Sequence, residues 1–180
     1  IAAGAAEVAE LDRTVRDFGF RGVSLDPRLS ATHLDSHEAY PIYERAAELD
    51  IPVVFTMGPW VGPYSDPYRV DKVALQFPNL SIVCSHAPWP HVNEYLALAY
   101  RRPNVYLEPS LYWSLPGNDA LFDAANGILS EQVIYASGHP FNSLDVVSKF
   151  EKHIAWDPEN WERVSWRNAA RLLKLDQHDA

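Results

Sequence analysis

The residues of this chain best suited to chemistry follow short apolar runs rather than lying along helix faces. His86 comes directly after the segment Leu80-Ser81-Ile82-Val83-Cys84. An imidazole placed at the end of a buried strand can take or give a proton near neutral pH. The alternative is a histidine hydrogen-bonded in its loop for structural reasons, and the residues alone leave both open. His139, in Ser137-Gly138-His139-Pro140, invites a metal site shared with His86. Two histidines on separate segments fall short of the three or four ligands that zinc takes, and the sequence holds no His-x-His, HExxH or CxxC cluster. Glu108 and Asp26 can act as acid or base groups, but the expected use of each is structural, as a helix N-cap or a salt-bridge partner. Ser110 and Ser137 sit in no G-x-S-x-G pattern. Cys84, the single cysteine, lies inside an apolar run and reads as a buried, inert thiol. His33 and His37 read as surface residues, and His91, His153 and His178 as helix or tail residues without a partner in sequence.

The elements that must position these groups alternate. Ala6 to Phe18 carries Val8, Leu11, Val15 and Phe18 at helical spacing, with Gly19 placed as a C-cap. Strands are expected near 21–25, 51–55, 80–84, 104–107 and 132–136. Helices are expected between and after them: Ser36 as N-cap of a helix through Leu49, Asp66-Pro67 opening a helix to Phe77, then His91–Tyr100, Asp119–Ile128, Leu144–His153 and Pro158–Leu173. Strands each followed by a helix predict a parallel α/β sheet. Without a glycine-rich phosphate turn, the repeat favours a TIM-type (β/α)₈ barrel over a dinucleotide fold. A full barrel has eight strands and at least roughly 200 residues. Five βα units in 180 residues therefore predict a partial barrel in one domain spanning 1–180.

Composition narrows the function classes. The net charge is −9, with acidic residues spread along the chain, which argues against nucleic acid, whose binding rests on basic patches. No stretch approaches the roughly 20 apolar residues that span a bilayer, and the opening Ile1–Ala6 is not a signal peptide, so the expected compartment is the cytoplasm. Six tryptophans and nine tyrosines are a generous supply of pocket walls, although core packing accounts for most such residues.

Taken in order, the segments Glu10-Leu11-Asp12-Arg13, Gly19-Phe20-Arg21-Gly22-Val23, Tyr40-Pro41-Ile42-Tyr43-Glu44-Arg45-Ala46, Ile51-Pro52-Val53-Val54, Phe77-Pro78-Asn79-Leu80, Ser85-His86-Ala87, Pro103-Asn104-Val105-Tyr106, Val133-Ile134-Tyr135-Ala136-Ser137 and Arg167-Asn168-Ala169-Ala170-Arg171-Leu172-Leu173 resemble the amidohydrolase-2 family. That family comprises TIM-barrel hydrolases and decarboxylases with a divalent metal, zinc or manganese. The resemblance implies that the strands here are the fourth to eighth of the barrel. The first three, with a His-x-His metal pair, would lie before Ile1. It also implies that His86 is the proton-transfer residue. Two family metal positions are altered: the fifth-strand histidine is Thr56, in Phe55-Thr56-Met57-Gly58, and the eighth-strand aspartate is Gly138. Threonine is a poor zinc ligand and glycine offers no side chain, so no metal is expected in this chain.

Two functions follow as expectations. The first is an amidohydrolase-2-like hydrolase or carboxy-lyase acting on a small carboxylated or aromatic substrate. Here His86 moves a proton, His139 helps to bind an anionic substrate, and Trp60, Trp89, Tyr112 and Trp113 wall the pocket. The second is a catalytically degenerate barrel serving as a binding or subunit-partner module. Either way, open sheet edges demand a partner, an N-terminal segment or a second chain completing the barrel, and a homo-oligomer is expected.

Overall fold

The structure, a computed structural model, describes residues 4–175. Helix α1 (Ala5–Phe18) turns Leu11 into the core and ends at Gly19, whose φ of 68° lets its N–H reach back to Thr14 and Val15. Strand β1 (Val23–Leu25) follows, then a single helical turn, α2 (Pro27–Ser30). Ser36 does not cap a long helix as expected. It heads a 3₁₀ turn, His37–Ala39, and its hydroxyl makes no cap bond, because its own N–H and C=O are used in tight turns to His33 and Ala39. Helix α3 (Tyr40–Glu48) begins after that turn, with Pro41 in its first turn. Strand β2 (Val53–Thr56) leads through a 3₁₀ segment, Pro59–Ser65, to α4 (Pro67–Gln76). There the Asp66 carboxylate accepts from Tyr68 N at 2.9 Å and Pro67 starts the helix, as its sequence predicts. The rest is β3 (Ile82–Ser85), α5 (Val92–Arg101), β4 (Val105–Glu108), α6 (Asp119–Ala125), α7 (Val146–Glu151) and a closing helical run. That run comprises α8 (Pro158–Glu162), a π-type stretch Arg163–Arg167 and α9 (Asn168–Leu173).

The four strands are parallel and pair in chain order, β1-β2-β3-β4, the arrangement of a barrel wall. Side chains alternate across the sheet. Val53, Phe55, Ile82, Cys84, Val105 and Leu107 are fully buried in the core with the flanking helices. The register sets Val54 beside Val83 and Tyr106, and Thr56 beside Ser85 and Glu108. This second face also carries Ser24 beside Val54, and its polar layer of Thr56, Ser85 and Glu108 lies at the C-terminal end of the strands, where a barrel carries its chemistry.

The expected fifth strand, 132–136, contracts to one parallel bridge. Leu107 N donates to Gln132 O at 2.8 Å, and Ile134 N donates to Leu107 O at 2.9 Å. The next partner on β4 is Pro109, which has no N–H to donate to Ile134 O, so the ladder stops there. On the edge facing away from β4, Tyr135 N donates to Val164 O at 2.9 Å, and Asn168 Nδ2 donates to the Ser130 and Val133 carbonyls at 2.8 Å each, so the closing helical run satisfies that outer edge. Cys84 is fully buried, and burial pushes its thiol well up, in keeping with an inert role. His33, expected at the surface, packs its ring 4.9 Å from Tyr64, and its Nδ1 is buried without a hydrogen-bond partner. His153 also has partners, stacking 4.0 Å from Phe122. His178 lies outside the described residues. Among the described residues no helix is long and apolar enough to cross a membrane.

Candidate active site

The ends of β2, β3 and β4 bring three loops together. The chain leaves β3 through His86 in the left-handed region, φ 67°. A non-glycine residue held there stores strain of about 1 kcal/mol or more, and such residues gather at functional sites. His86 Nδ1 lies 2.6 Å from Ser110 Oγ, which leaves Nε2 as the ring nitrogen free to meet a ligand. Ser110 is itself fixed: its N–H donates to Glu108 Oε1 at 2.7 Å, and the other carboxylate oxygen accepts from Ser85 Oγ at 2.7 Å. Ser110 and Glu108 are both buried. Glu108 is thus neither a helix cap nor a salt-bridge partner. It is a buried carboxylate satisfied by two hydrogen bonds, and it holds the backbone N–H of the serine whose hydroxyl meets the imidazole.

Gly58, at the end of β2, has φ 91°, and a Cβ there would meet Tyr112 Cε2 at 2.8 Å and the His86 carbonyl at 3.1 Å. Only glycine lets these loops approach so closely. Tyr112 then stands edge-on to His86, centroids 6.2 Å apart, with Trp89 6.1 Å behind it. A cavity of about 550 Å³ opens over this group. Its lining includes the expected His86, Thr56, Trp60 and Tyr112, and also Arg28, Met57, Val61, Leu111 and Phe141, which the sequence reading missed. Arg28 comes from α2. Asp26 caps that turn by accepting from Arg28 N at 3.0 Å and grips the guanidinium through Nε (3.0 Å) and Nη2 (2.5 Å). The hydrogen bond from Arg28 holds the Asp26 carboxyl below its ordinary range, and burial raises the Tyr112 phenol, with Arg28 opposing.

Three expected site residues stand elsewhere. Trp113 does not wall the cavity. It is buried in an aromatic cluster, edge-on to Phe122 at 5.9 Å and Phe150 at 5.1 Å. Trp89 buttresses Tyr112 from outside, its indole N–H donating to Pro116 O at 3.2 Å. His139 is exposed and outside the cavity lining.

The donor set does not fit the metal centre implied by the resemblance. Thr56 offers a neutral hydroxyl at the end of β2. Gly138 offers no side chain; it has φ 67°, and a Cβ added there would meet Leu111 Cδ2 at 2.6 Å and Asn142 Nδ2 at 3.2 Å. Among the described residues, no three His, Cys, Asp or Glu side chains are grouped so as to hold a metal ion.

Comparison with known proteins places this arrangement. The chain is 25% identical over 223 aligned positions to "Decarboxylase orsB" of Emericella nidulans, covering 94% of this chain and 66% of that protein. It superposes on an uncharacterised TIM-barrel protein, Bb4693 of Bordetella bronchiseptica, with TM-score 0.88 and 32% identity, covering 98% of this chain and 65% of the other. It shares the fold of a dihydroxybenzoic acid decarboxylase from Polaromonas, solved with bound manganese and the inhibitor 2-nitroresorcinol (TM-score 0.71, 19% identity, 94% of this chain and 65% of that one). The chain thus spans just under two thirds of the length of these relatives. Residues 2–175 match the family model described as Amidohydrolase, and with the barrel wall and its strand-end site in place, the chain belongs to that family, amidohydrolase-2.

Proposed function

We propose that this chain carries the proton-transfer half of an amidohydrolase-2 active site, in a decarboxylase or hydrolase acting on a small carboxylated aromatic substrate. The observation that carries the reading is His86, whose ring lines the cavity with Nδ1 engaged by a buried serine and Nε2 left for substrate. In the decarboxylase form, the ring-carbon to carboxyl-carbon bond breaks, carbon dioxide leaves, and protonated His86 delivers its Nε2 proton to that carbon. In the hydrolase form, the same nitrogen takes a proton from water and returns it to the leaving group. Trp60, Tyr112 and Phe141 give the cavity planar walls suited to an aromatic ring. The chain supplies no stoichiometric zinc or manganese site of its own, on the strength of Thr56, Gly138 and Leu111.

The reading also calls for the open edge of β1 to be covered, by a further polypeptide segment or a second copy. A cleft of about 720 Å³ lined by Leu11, Phe20, Val23, Leu25 and Ile42 lies along that edge and supports this. The test of the reading is turnover of hydroxybenzoates and related carboxylates. His86→Gln is expected to lower kcat about a hundredfold or more without unfolding the protein; equal turnover by wild type and variant overturns the role of His86. The altered metal positions favour a second reading, a non-catalytic binding or subunit-partner module. Tight binding of a partner together with no turnover of any carboxylate would establish it.

A further inference from the structure

Resting on the reading above, we propose that Arg28 takes the place of the family's metal as the cationic group that receives the substrate's carboxylate. Two independent observations meet here. The first is subtraction: the β2 position offers only the neutral Thr56 hydroxyl, and Gly138 offers no side chain, the space about its Cβ position being taken by Leu111 Cδ2 (2.6 Å) and Asn142 Nδ2 (3.2 Å). Among the described residues these two positions supply no charged ligand for a metal. The second is substitution. Of the cavity-lining side chains, Arg28 is the one with a permanent positive charge; the others are His86, neutral polar groups and apolar groups.

Arg28 is also built for the task. The one-turn helix α2, started by Pro27 and capped by Asp26, brings it back over the mouth of the strand ends. Asp26 holds Nε and Nη2, which fixes the plane of the guanidinium and leaves Nη1 as the nitrogen without a partner among the described residues. An arginine pre-oriented in this way loses little side-chain freedom when a carboxylate binds, and a charge-assisted N–H···O bond in a half-enclosed cavity is stronger than a neutral one. Tyr112 faces the same charge from the opposite loop, so its phenol can donate to the second carboxylate oxygen. A ligand so held has its ring between Tyr112, Trp60 and Phe141 and its carboxylate toward Arg28. The site therefore selects monocarboxylates on a planar ring and works without a divalent cation.

The test is binding, measured by calorimetry on the protein at its native length and assembly, in excess EDTA. The probes are benzoate and 2-hydroxybenzoate, with benzamide as a neutral isostere. The wild type is expected to bind the carboxylates at least tenfold more tightly than benzamide. Arg28→Gln should lower carboxylate affinity about tenfold or more while leaving benzamide unchanged, and Arg28→Lys, which keeps the charge, should retain most of it. Carboxylate binding that is unchanged in Arg28→Gln, or that EDTA removes and manganese restores, overturns the proposal while leaving the His86 reading intact. Failure of the wild type to bind any aromatic carboxylate overturns the reading of the substrate class itself.

Discussion

Glu108 and Ser110 position His86, each in a different way. Glu108 is held by Ser85 and by the Ser110 N–H, Ser110 turns its hydroxyl to Nδ1, and only the imidazole reaches the cavity. Ser110→Ala should therefore lower kcat roughly tenfold and change KM less, because the ring loses its orientation and not its chemistry. Ser110→Thr, which keeps the hydroxyl, should recover much of the loss; steady-state kinetics beside a thermal melt check this. A variant that binds and turns over substrate like the wild type makes the serine a bystander. His86 was legible in the sequence because a polar residue directly after a buried apolar run has one place to go in a parallel sheet. Arg28 was not, since Asp26-Pro27 reads as a strand stop and nothing local says that a single turn of helix returns the next side chain to the cavity. The place of Trp113 was not legible either: beside Tyr112 it reads as a pocket wall, and only the structure shows it buried against Phe122 and Phe150.

At the scale of elements, the site rests on loops fastened by ion pairs to the helices behind them. Asp35, before α3, binds Arg69 at 2.7 Å and Lys72 at 3.0 Å on α4. Burial raises its carboxyl, but the Arg69 and Lys72 hydrogen bonds outweigh this and hold it below its ordinary 3.8. Asp71 is held down likewise, its Arg102 and Arg101 partners outweighing burial. Carboxyls lowered by folding contribute stability that is complete above their ordinary values and is lost as pH falls through the folded ones. Denaturation midpoints should thus drop below about pH 4, and Asp35→Asn should flatten that fall while lowering stability at neutral pH. A midpoint that falls just as steeply in Asp35→Asn removes this pair from the account. The strands were legible from their apolar runs, and the cap of α4 from Asp66-Pro67. The length of the fifth strand was not, because it is decided outside 132–136: Pro109 on the neighbouring strand lacks the N–H that would extend the ladder, and Val164 and Asn168 cover the outer edge.

Among the described residues, four parallel strands form a barrel wall with a polar strand-end face and an apolar cleft at the β1 edge. The wall is expected to close against further polypeptide, burying more than the roughly 1,600 Å² of a standard interface. Light scattering at micromolar concentration should report an assembly, and a monodisperse 20.3 kDa particle would contradict that expectation. The fold class followed from the alternation of elements. Thr56 and Gly138 stand in the sequence where the resemblance implies metal ligands, whereas the approach of Leu111 and Asn142 to Gly138 needed coordinates. Whether His86 moves a proton in a site without the family's metal is decided by turnover of an aromatic carboxylate by the native protein in excess chelator, with wild type and His86→Gln side by side. Wild-type turnover is expected to survive the chelator and the variant to lose about a hundredfold or more. Turnover abolished by chelator and restored by manganese, or undiminished in His86→Gln, would contradict it.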